Sequence, residues 1–493
     1  MMKRSAGILM PLFSLPNAYG IGSMGKEARD FADFLHDAGQ SWWQVLPVGP
    51  TGEGNSPYSS ESTFAGNMLY IDLERLTEEG LLTHEELESA KVPAGNKVDY
   101  DALKATREPL LRKAFERLDG KTRDAVRAFM NQYPWVREYA LYRAAKTYFH
   151  NAAWPSWPDE GLRRHEWAAI AQWHEILADD VQFYACVQYW FFTQWADLKA
   201  YVNSLGIKII GDIPIYVSLD SADVWSEREQ FLLDSEGHPT EVSGVPPDYF
   251  AADGQLWGNP LYNWAHMKAD GFGWWIRRVD GAIRLFDTIR IDHFRGLESY
   301  WAIPADSETA KNGHWEKGPG MDLMRVLTTW FWDKDVTYIA EDLGTLTSEV
   351  HELRKASGLP GMKVLEFAFD NPANAYLPHN HEQHCICYTG THDNDTAVGW
   401  YTNAGEEERA YVKEYLGVSG VESARKAILR CGMGSVANLF VAQMQDYLAL
   451  GSEARINVPG VAEGNWQWRM LPGKTTRVLA QRIYNLTHTF GRC

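Results

Sequence analysis

Eight short apolar runs recur along the chain, and most are separated by stretches with the spacing of an amphipathic helix. One such stretch places Phe31, Phe34, Leu35 and Ala38 on a common face. Strands that alternate with helices favour a parallel sheet covered by those helices. The predicted strands are residues 7–13, 42–47, 207–213, 288–291, 336–340, 363–369, 386–389 and 439–444.

This alternation predicts an α/β protein built as a closed (β/α)8 TIM barrel, and an open doubly wound sheet is the alternative. The chain contains no internal repeat, low-complexity tract or Pro/Ser-rich linker. We therefore expect a single barrel domain over residues 1–493, with helical and loop insertions between its strands.

Two connections are much longer than a strand-to-helix loop requires. Residues 74–180 have the pattern of charged amphipathic helices, such as 83–91 and 100–118, and they predict a mostly helical inserted subdomain. Residues 218–264 are rich in Gly, Pro, Asp, Tyr and Trp without helical spacing. Loops of that length are functional or disordered, and the aromatic content argues against disorder, so we predict a long loop at the active site.

The composition excludes several classes of partner. Acidic residues outnumber basic residues by 65 to 47, which gives a formal net charge of −18. Repulsion from phosphate backbones and anionic lipids makes nucleic acid and membranes poor partners, and no apolar run approaches the roughly 18 residues of a transmembrane helix.

Five thinly spread cysteines favour reduced thiols and a cytoplasmic location. Pro11 and Pro16 interrupt the apolar stretch after Lys3 and Arg4, so no signal peptide is expected.

A glycine-rich segment near the start of the chain partly matches the sequence motif of a nucleotide-binding loop. Gly20, Gly22, Gly25 and Lys26 match both a dinucleotide fingerprint and most of a phosphate-binding loop. Glu27 stands where a magnesium-binding hydroxyl is needed, and no acidic residue ends the second strand to hold a ribose. The segment is therefore interpreted as the first loop of the barrel.

A cluster of histidines and cysteines contains the residue types that bind zinc. His379, His381 and His384 lead into Cys385 and Cys387. The two cysteines fall in a predicted strand, which sends successive side chains to opposite faces. We therefore favour strand residues in the barrel wall and predict no metal site.

Polar side chains concentrate where four predicted strands end. The segments are GDIPIYV (211–217), RIDHFRG (290–296), IAEDLG (339–344) and THDND (391–395). Since the carboxyl ends of parallel barrel strands converge on one face, the carboxylates of Asp212, Asp292, Glu341 and Asp393 are expected to meet there.

Paired carboxylates of this kind suit glycosyl transfer with retention of configuration. Such an enzyme needs a carboxylate nucleophile and, typically about 5 to 5.5 Å away, a carboxyl group that can give up a proton. Arg290 is two residues from Asp292 on the same strand face, so it would keep Asp292 ionised. Glu341 would need surroundings that raise its pKa.

At this level of detail the sequence resembles a known family. The four strand-end segments are similar to those of 4-α-glucanotransferases, the amylomaltase or disproportionating-enzyme family. The same resemblance is found in SPYSSESTFAGN (56–67), VPPDYFAADGQLWGNPLYNW (245–264), NVPG (457–460) and NWQWR (465–469). The resemblance spans nearly the whole chain. It implies a barrel without a separate C-terminal β domain.

The resemblance also implies residue roles. Asp292 would be the nucleophile, Glu341 the general acid and then base, and Asp393 the group that holds hydroxyls of the reacting sugar. The other implied substrate-binding residues are Arg290, His392, Asp212, Tyr58, Tyr249, Phe250, Gln255, Trp257, Asp370 and Asn465.

The implied reaction moves α-1,4-glucan segments between malto-oligosaccharides or starch- and glycogen-type glucans. No metal or organic cofactor is expected, because each bond broken is replaced by an equivalent bond, and the chain is expected to be a monomer or a homodimer. From the residues alone, an amylase-like hydrolase and a carbohydrate-binding protein without chemistry remain alternatives.

Overall fold

The computed structural model describes residues 3–247, 252–344 and 346–493. Within them lie twelve strands, all short and most of them apolar. They are β1 (Ser5–Leu9), β2 (Trp42–Gln44), β3 (Lys208–Ile213), β4 (Glu241–Val245), β5 (Gln255–Pro260), β6 (Thr288–Ile291), β7 (Ser299–Pro304), β8 (His314–Lys317), β9 (Thr337–Ala340), β10 (Gly361–Val364), β11 (Cys385–Tyr388) and β12 (Leu439–Gln443).

Eight of these strands form the predicted barrel. They are parallel neighbours in the order β10, β11, β12, β1, β2, β3, β6 and β9. Read from β1 around the cylinder, this is the order in which the strands occur along the chain. Each of the eight predicted strands overlaps one of them. The prediction of a (β/α)8 barrel is therefore confirmed, and the open sheet is wrong.

The seam of the barrel lies between β9 and β10. The Ala340 N–H donates to the carbonyl of Pro360 at 3.0 Å. The Asp342 carboxylate accepts a hydrogen bond of 2.7 Å from the backbone N–H of Met362. Arg354 holds that carboxylate from the other side, with Nε 3.1 Å from Oδ2. A buried side chain thus helps to close the wall.

The remaining four strands form a separate antiparallel sheet in the order β5, β4, β7 and β8. Two of its strands fall within 218–264, the segment predicted as a long loop at the active site. The segment also contains a short helix, Ala222–Ser226. Val242, Ile303 and Ala310 form a small apolar cluster under this sheet.

Helices cover the barrel and fill its long connections. They are α1 (Lys26–Asp37), α2 (Leu73–Glu78), α3 (His84–Ser89), α4 (Tyr100–Glu116), α5 (Gly120–Gln132), α6 (Trp135–Tyr148), α7 (Glu160–Arg163), α8 (Trp167–Ile176), α9 (Ala178–Ser204), α10 (Ala222–Ser226), α11 (Trp264–Ala269), α12 (Gly273–Leu285), α13 (Gly320–Trp330), α14 (Ser348–Ser357), α15 (Ala397–Asn403), α16 (Glu406–Leu416), α17 (Val421–Gly434), α18 (Met444–Leu448) and α19 (Arg477–Thr489). Much of the segment predicted as a helical insertion, 74–180, is helical. None of the described helices is long and apolar enough to cross a bilayer.

The histidine and cysteine cluster lies in and before β11. Cys385 and Cys387 are buried in that strand, and the ring of His381 lies 2.7 Å from the hydroxyl of Ser435 and 2.8 Å from the carbonyl of Tyr376. In the part of the chain that the structure describes, no three His, Cys, Asp or Glu side chains are arranged to hold a metal ion.

Candidate active site

The carboxyl ends of the barrel strands bring the predicted carboxylates together. Asp212 lies in β3 opposite Arg290 of β6, and Ile291 of β6 lies opposite Ala340 of β9. Asp292 and Glu341 therefore leave neighbouring strands at the same level. The backbone N–H of Glu341 donates to the Ile291 carbonyl at 3.0 Å, which fixes that level.

Arg290 is the cation at the centre of this group. Its Nη1 lies 2.6 Å from Asp212 Oδ2 and 2.8 Å from Asp292 Oδ1. Burial works against the charge, but Asp212 and Asp292 hold the pKa of Arg290 well above its usual value. Asp292 keeps 28% of its side chain exposed whereas Asp212 keeps none, so Asp292 is the carboxylate that a ligand can reach.

Glu341 occupies a different environment from Asp292. Backbone N–H groups of His293 and Leu343 donate to its two carboxylate oxygens at 2.8 and 2.9 Å. Burial, opposed by Arg290 and reinforced by Asp292, raises the pKa of Glu341 to about 7. Glu341 is thus suited to hold a proton near neutral pH.

His293 is a site residue that the sequence analysis missed. Its backbone adopts φ of 48°, in the left-handed region, and this turns its N–H toward Glu341. Its ring meets Trp257 edge-on, with centroids 4.8 Å apart. Burial lowers the pKa of His293 to about 4, so the ring is neutral at pH 7. Its place directly after Asp292 in RIDHFRG was the available signal.

A second group of side chains forms around Tyr58 and His392. The Tyr58 hydroxyl donates to Asp212 Oδ2 at 2.7 Å, and its ring stacks on His392 with centroids 4.9 Å apart. His392 Nε2 lies 3.4 Å from Asp393 Oδ1. Asp212 therefore holds Tyr58 and Arg290 in place, and its direct contact with a sugar stays a prediction.

Asp393 is oriented by residues far along the chain. The Asn457 side-chain amide donates to Asp393 Oδ1 at 2.6 Å, and Arg455 donates to the Asp393 carbonyl at 2.6 Å. Neither residue was singled out from the sequence, although Asn457 begins the NVPG segment. The Asp393 side chain remains 43% exposed, which leaves it accessible to a ligand.

Part of this group lines an open cleft of about 720 Å³. Glu341, Arg290 and Asp212 are absent from the described lining and lie behind Asp292, to which Arg290 is paired. Among the predicted binding residues, Tyr58, His392, Gln255, Trp257 and Asn465 line the cleft together with Asp292 and Asp393. The Trp257 indole N–H donates to Gln255 Oε1 at 3.1 Å, and both residues belong to β5. Tyr249 and Phe250 lie outside the described residues.

Two of the predicted substrate-binding residues, Asn465 and Asp370, form hydrogen bonds with other parts of the protein. The Asn465 amide bonds the backbone of Val458 and Val461, so it shapes the loop that borders the cleft. Asp370 is exposed, accepts hydrogen bonds from Asn371 and Asn374 of its own loop, and is absent from the described lining of the cleft. Direct sugar contacts by these two residues stay predictions.

Comparison with known proteins places this geometry in a family. A family profile described as 4-alpha-glucanotransferase matches residues 10–475. A 4-alpha-glucanotransferase of Thermus thermophilus is 49% identical over 486 residues, covering 96% of each chain. One from Clostridium butyricum is 44% identical over 490 residues, covering 98% of this chain and all of the relative.

A solved structure agrees with these relatives. Amylomaltase from Streptococcus agalactiae, in complex with acarbose, superposes with a TM-score of 0.96 at 38% identity, covering 99% of this chain and 100% of that chain. Amylomaltase from Corynebacterium glutamicum, at 16% identity and a TM-score of 0.81, shares the fold. With its barrel, its strand-end carboxylates and its full-length relatives in agreement, the chain belongs to the 4-alpha-glucanotransferase family.

Proposed function

We propose that this enzyme exchanges α-1,4-glucan segments by a retaining, two-step reaction through a covalent glucosyl–Asp292 intermediate. The observation that carries the proposal is the pair formed by Asp292 and Glu341 on neighbouring strands. Asp292 is partly exposed and paired with Arg290, and Glu341 has its pKa raised to about 7 by burial.

In the first step Glu341 protonates the glycosidic oxygen while Asp292 attacks the anomeric carbon. The bond from C1 to the leaving oxygen breaks, the new ester bond to Asp292 forms, and the released glucan carries the proton from Glu341. Proton transfer of this kind contributes about 10²- to 10⁴-fold to rate. Asp393, held by Asn457, would accept hydrogen bonds from hydroxyls of the reacting ring.

In the second step a 4-hydroxyl of an acceptor glucan replaces Asp292. Esterification removes the negative charge of Asp292, which is one of the groups that raise the pKa of Glu341. The pKa of Glu341 then falls, so Glu341 stays in its carboxylate form after it has given up its proton and is available as the base that takes the acceptor's proton. The bond formed equals the bond broken, so no energy source or cofactor enters the scheme.

Transfer rather than hydrolysis requires that an acceptor reach the intermediate before water does. Gln255 and Trp257 on β5, together with Trp466, line the cleft and supply surfaces that an acceptor glucan would cover. Malto-oligosaccharides are the proposed donors and acceptors, and the binding of acarbose, a pseudo-oligosaccharide, by the Streptococcus agalactiae relative supports this.

The test uses a maltosyl fluoride, whose leaving group departs without a proton. Glu341→Gln should form the ester from this donor but should not resolve it, so mass spectrometry of the digested protein should find a glucan adduct on the peptide that carries Asp292. Asp292→Asn is the matched control and should show no adduct. An unmodified Asp292 peptide in the Glu341→Gln protein, or normal turnover of maltotriose by Asp292→Asn, would overturn the covalent mechanism.

A further inference from the structure

A second cavity, of about 510 Å³, lies outside the catalytic cleft. Its walls come from the junction of α5 and α6, from α10 and from α12, and Trp330 at the end of α13 stands at its edge. None of the predicted site residues lines it, and the proposed mechanism makes no use of it.

Aromatic rings form one side of this cavity. Phe64 and Trp135 stack with centroids 6.1 Å apart and planes inclined by 20°. The guanidinium of Arg284 lies over the ring of Tyr133, 4.3 Å from its centroid. Trp330 keeps 62% of its surface exposed although it borders the cavity. A large exposed indole beside a concave site is a feature of ligand-binding surfaces.

On the polar side of the cavity, both arginines are already paired with carboxylates. Arg277 forms an ion pair with Glu227, and Arg284 forms one with Asp280. Asp223 is buried and accepts a hydrogen bond of 2.9 Å from the Thr63 backbone N–H. Acidic side chains outnumber arginines in this lining, so an anionic ligand would be repelled.

Flat apolar faces and many paired polar groups suit a neutral ligand that has both hydroxyl groups and apolar ring faces. Because this enzyme acts on α-1,4-glucans, we propose that the cavity is an accessory site that binds a segment of a long glucan chain, with Trp330 stacking on a sugar ring. The identity of the ligand rests on the enzyme's glucan substrates and not on the covalent mechanism.

The position of the cavity supports a link with the catalytic cleft. Tyr58 and Ser59 line the cleft, whereas Ser62 and Phe64, a few residues further along the same segment, line the cavity. Six residues of extended chain span at most about 20 Å, which bounds the separation between Tyr58 and Phe64. A glucan long enough to cover that separation could occupy both sites, so maltotriose, with only three rings, is the short substrate for comparison.

The test compares Trp330→Ala with Trp332→Ala. Trp332 is 80% exposed and lies two residues away, bordering a different groove, so it matches Trp330 in chemistry and exposure. Migration in native gels containing amylose should show about three- to tenfold weaker binding for Trp330→Ala, as expected when one aromatic contact is lost. Trp332→Ala should bind like the unmodified protein.

Kinetics provide the second measurement. Trp330→Ala should raise KM for amylose by a similar factor while leaving kcat and KM for maltotriose unchanged. Arg284→Gln, which alters the same wall without touching the catalytic cleft, should act in the same direction. Unchanged amylose binding by Trp330→Ala, or an equal loss in Trp332→Ala, would overturn the proposal. A failed fluoride experiment would leave this binding comparison intact.

Discussion

At the scale of single residues, the site places the same functional group in two different environments. Asp292 borders the cleft and shares the guanidinium of Arg290 with Asp212. Glu341 lies one strand away, where burial outweighs Arg290 in setting its protonation. The difference comes from surroundings that separate strands and the loops after them contribute, which a linear pattern of residues does not display.

The raised pKa of Glu341 predicts an alkaline limit to activity. Only the protonated carboxyl can donate a proton, and that form predominates below a pKa of about 7. We expect kcat/KM for maltotriose to fall about tenfold per pH unit above that pKa, as a single essential acid requires. The measurement is a pH series of initial rates on the unmodified enzyme.

The control for this pH profile replaces the substrate. A maltosyl fluoride needs no proton for departure of its leaving group, so formation of the covalent adduct should not show the alkaline limb. A kcat/KM for maltotriose that stays constant up to about pH 9 would contradict the assignment of Glu341 as the proton donor.

At the scale of elements, close packing between α17 and β12 sets a local constraint. A Cβ atom built on Gly432 of α17 would stand 2.1 Å from the Phe440 ring of β12. Alanine is favoured over glycine inside a helix by about 1 kcal/mol, but overpacking a core costs about 1–3 kcal/mol. The clash is severe enough that overpacking should win.

Gly432→Ala is therefore expected to lower the free energy of unfolding by about 1–2 kcal/mol, seen as a lower midpoint in urea. Gly120→Ala is the matched control, because Gly120 begins α5 and a Cβ there would meet nothing within 4 Å. That variant should be as stable as the unmodified protein or slightly more so. A Gly432→Ala protein with an unchanged midpoint would mean that Phe440 moves aside at no cost.

The barrel strands were predictable because parallel strands are buried on both faces and appear as continuous apolar runs. The antiparallel sheet lacks this signal. All four residues of β8 are exposed, and β5 contains Gly, Asn and Pro, which strands disfavour. The carboxylates at strand ends were found by position, whereas Asn457 and Arg455 reach Asp393 through a loop more than sixty residues away.

At the scale of the whole molecule, the net charge of −18 predicts that salt changes stability, whereas the neutral substrate predicts that salt hardly changes substrate binding. Between about 0.01 and 1 M NaCl the Debye length falls from about 30 to about 3 Å. Screening should relieve repulsion among the protein's own charges and raise the unfolding temperature. KM for maltotriose should change less than about twofold, since no net ligand charge is being screened.

Thermal unfolding followed by fluorescence, and initial rates at the same salt concentrations, check this prediction. Potassium chloride in place of sodium chloride is the control, because screening depends on ionic strength and not on which of these cations is present. A KM that rises steeply with salt would point to an electrostatic contribution to substrate binding.

At the seam of the barrel, a structural contact lies directly beside the proposed reaction centre. Asp342, which fastens β9 to β10, directly follows Glu341, and a Cβ on Gly361 would stand 2.2 Å from the Asp342 carboxylate. Any larger residue at position 361 therefore requires that carboxylate to move, next to the proposed proton donor. Strand β10 carries none of the proposed reacting groups, yet the close contact at its first residue limits which side chains that position can hold.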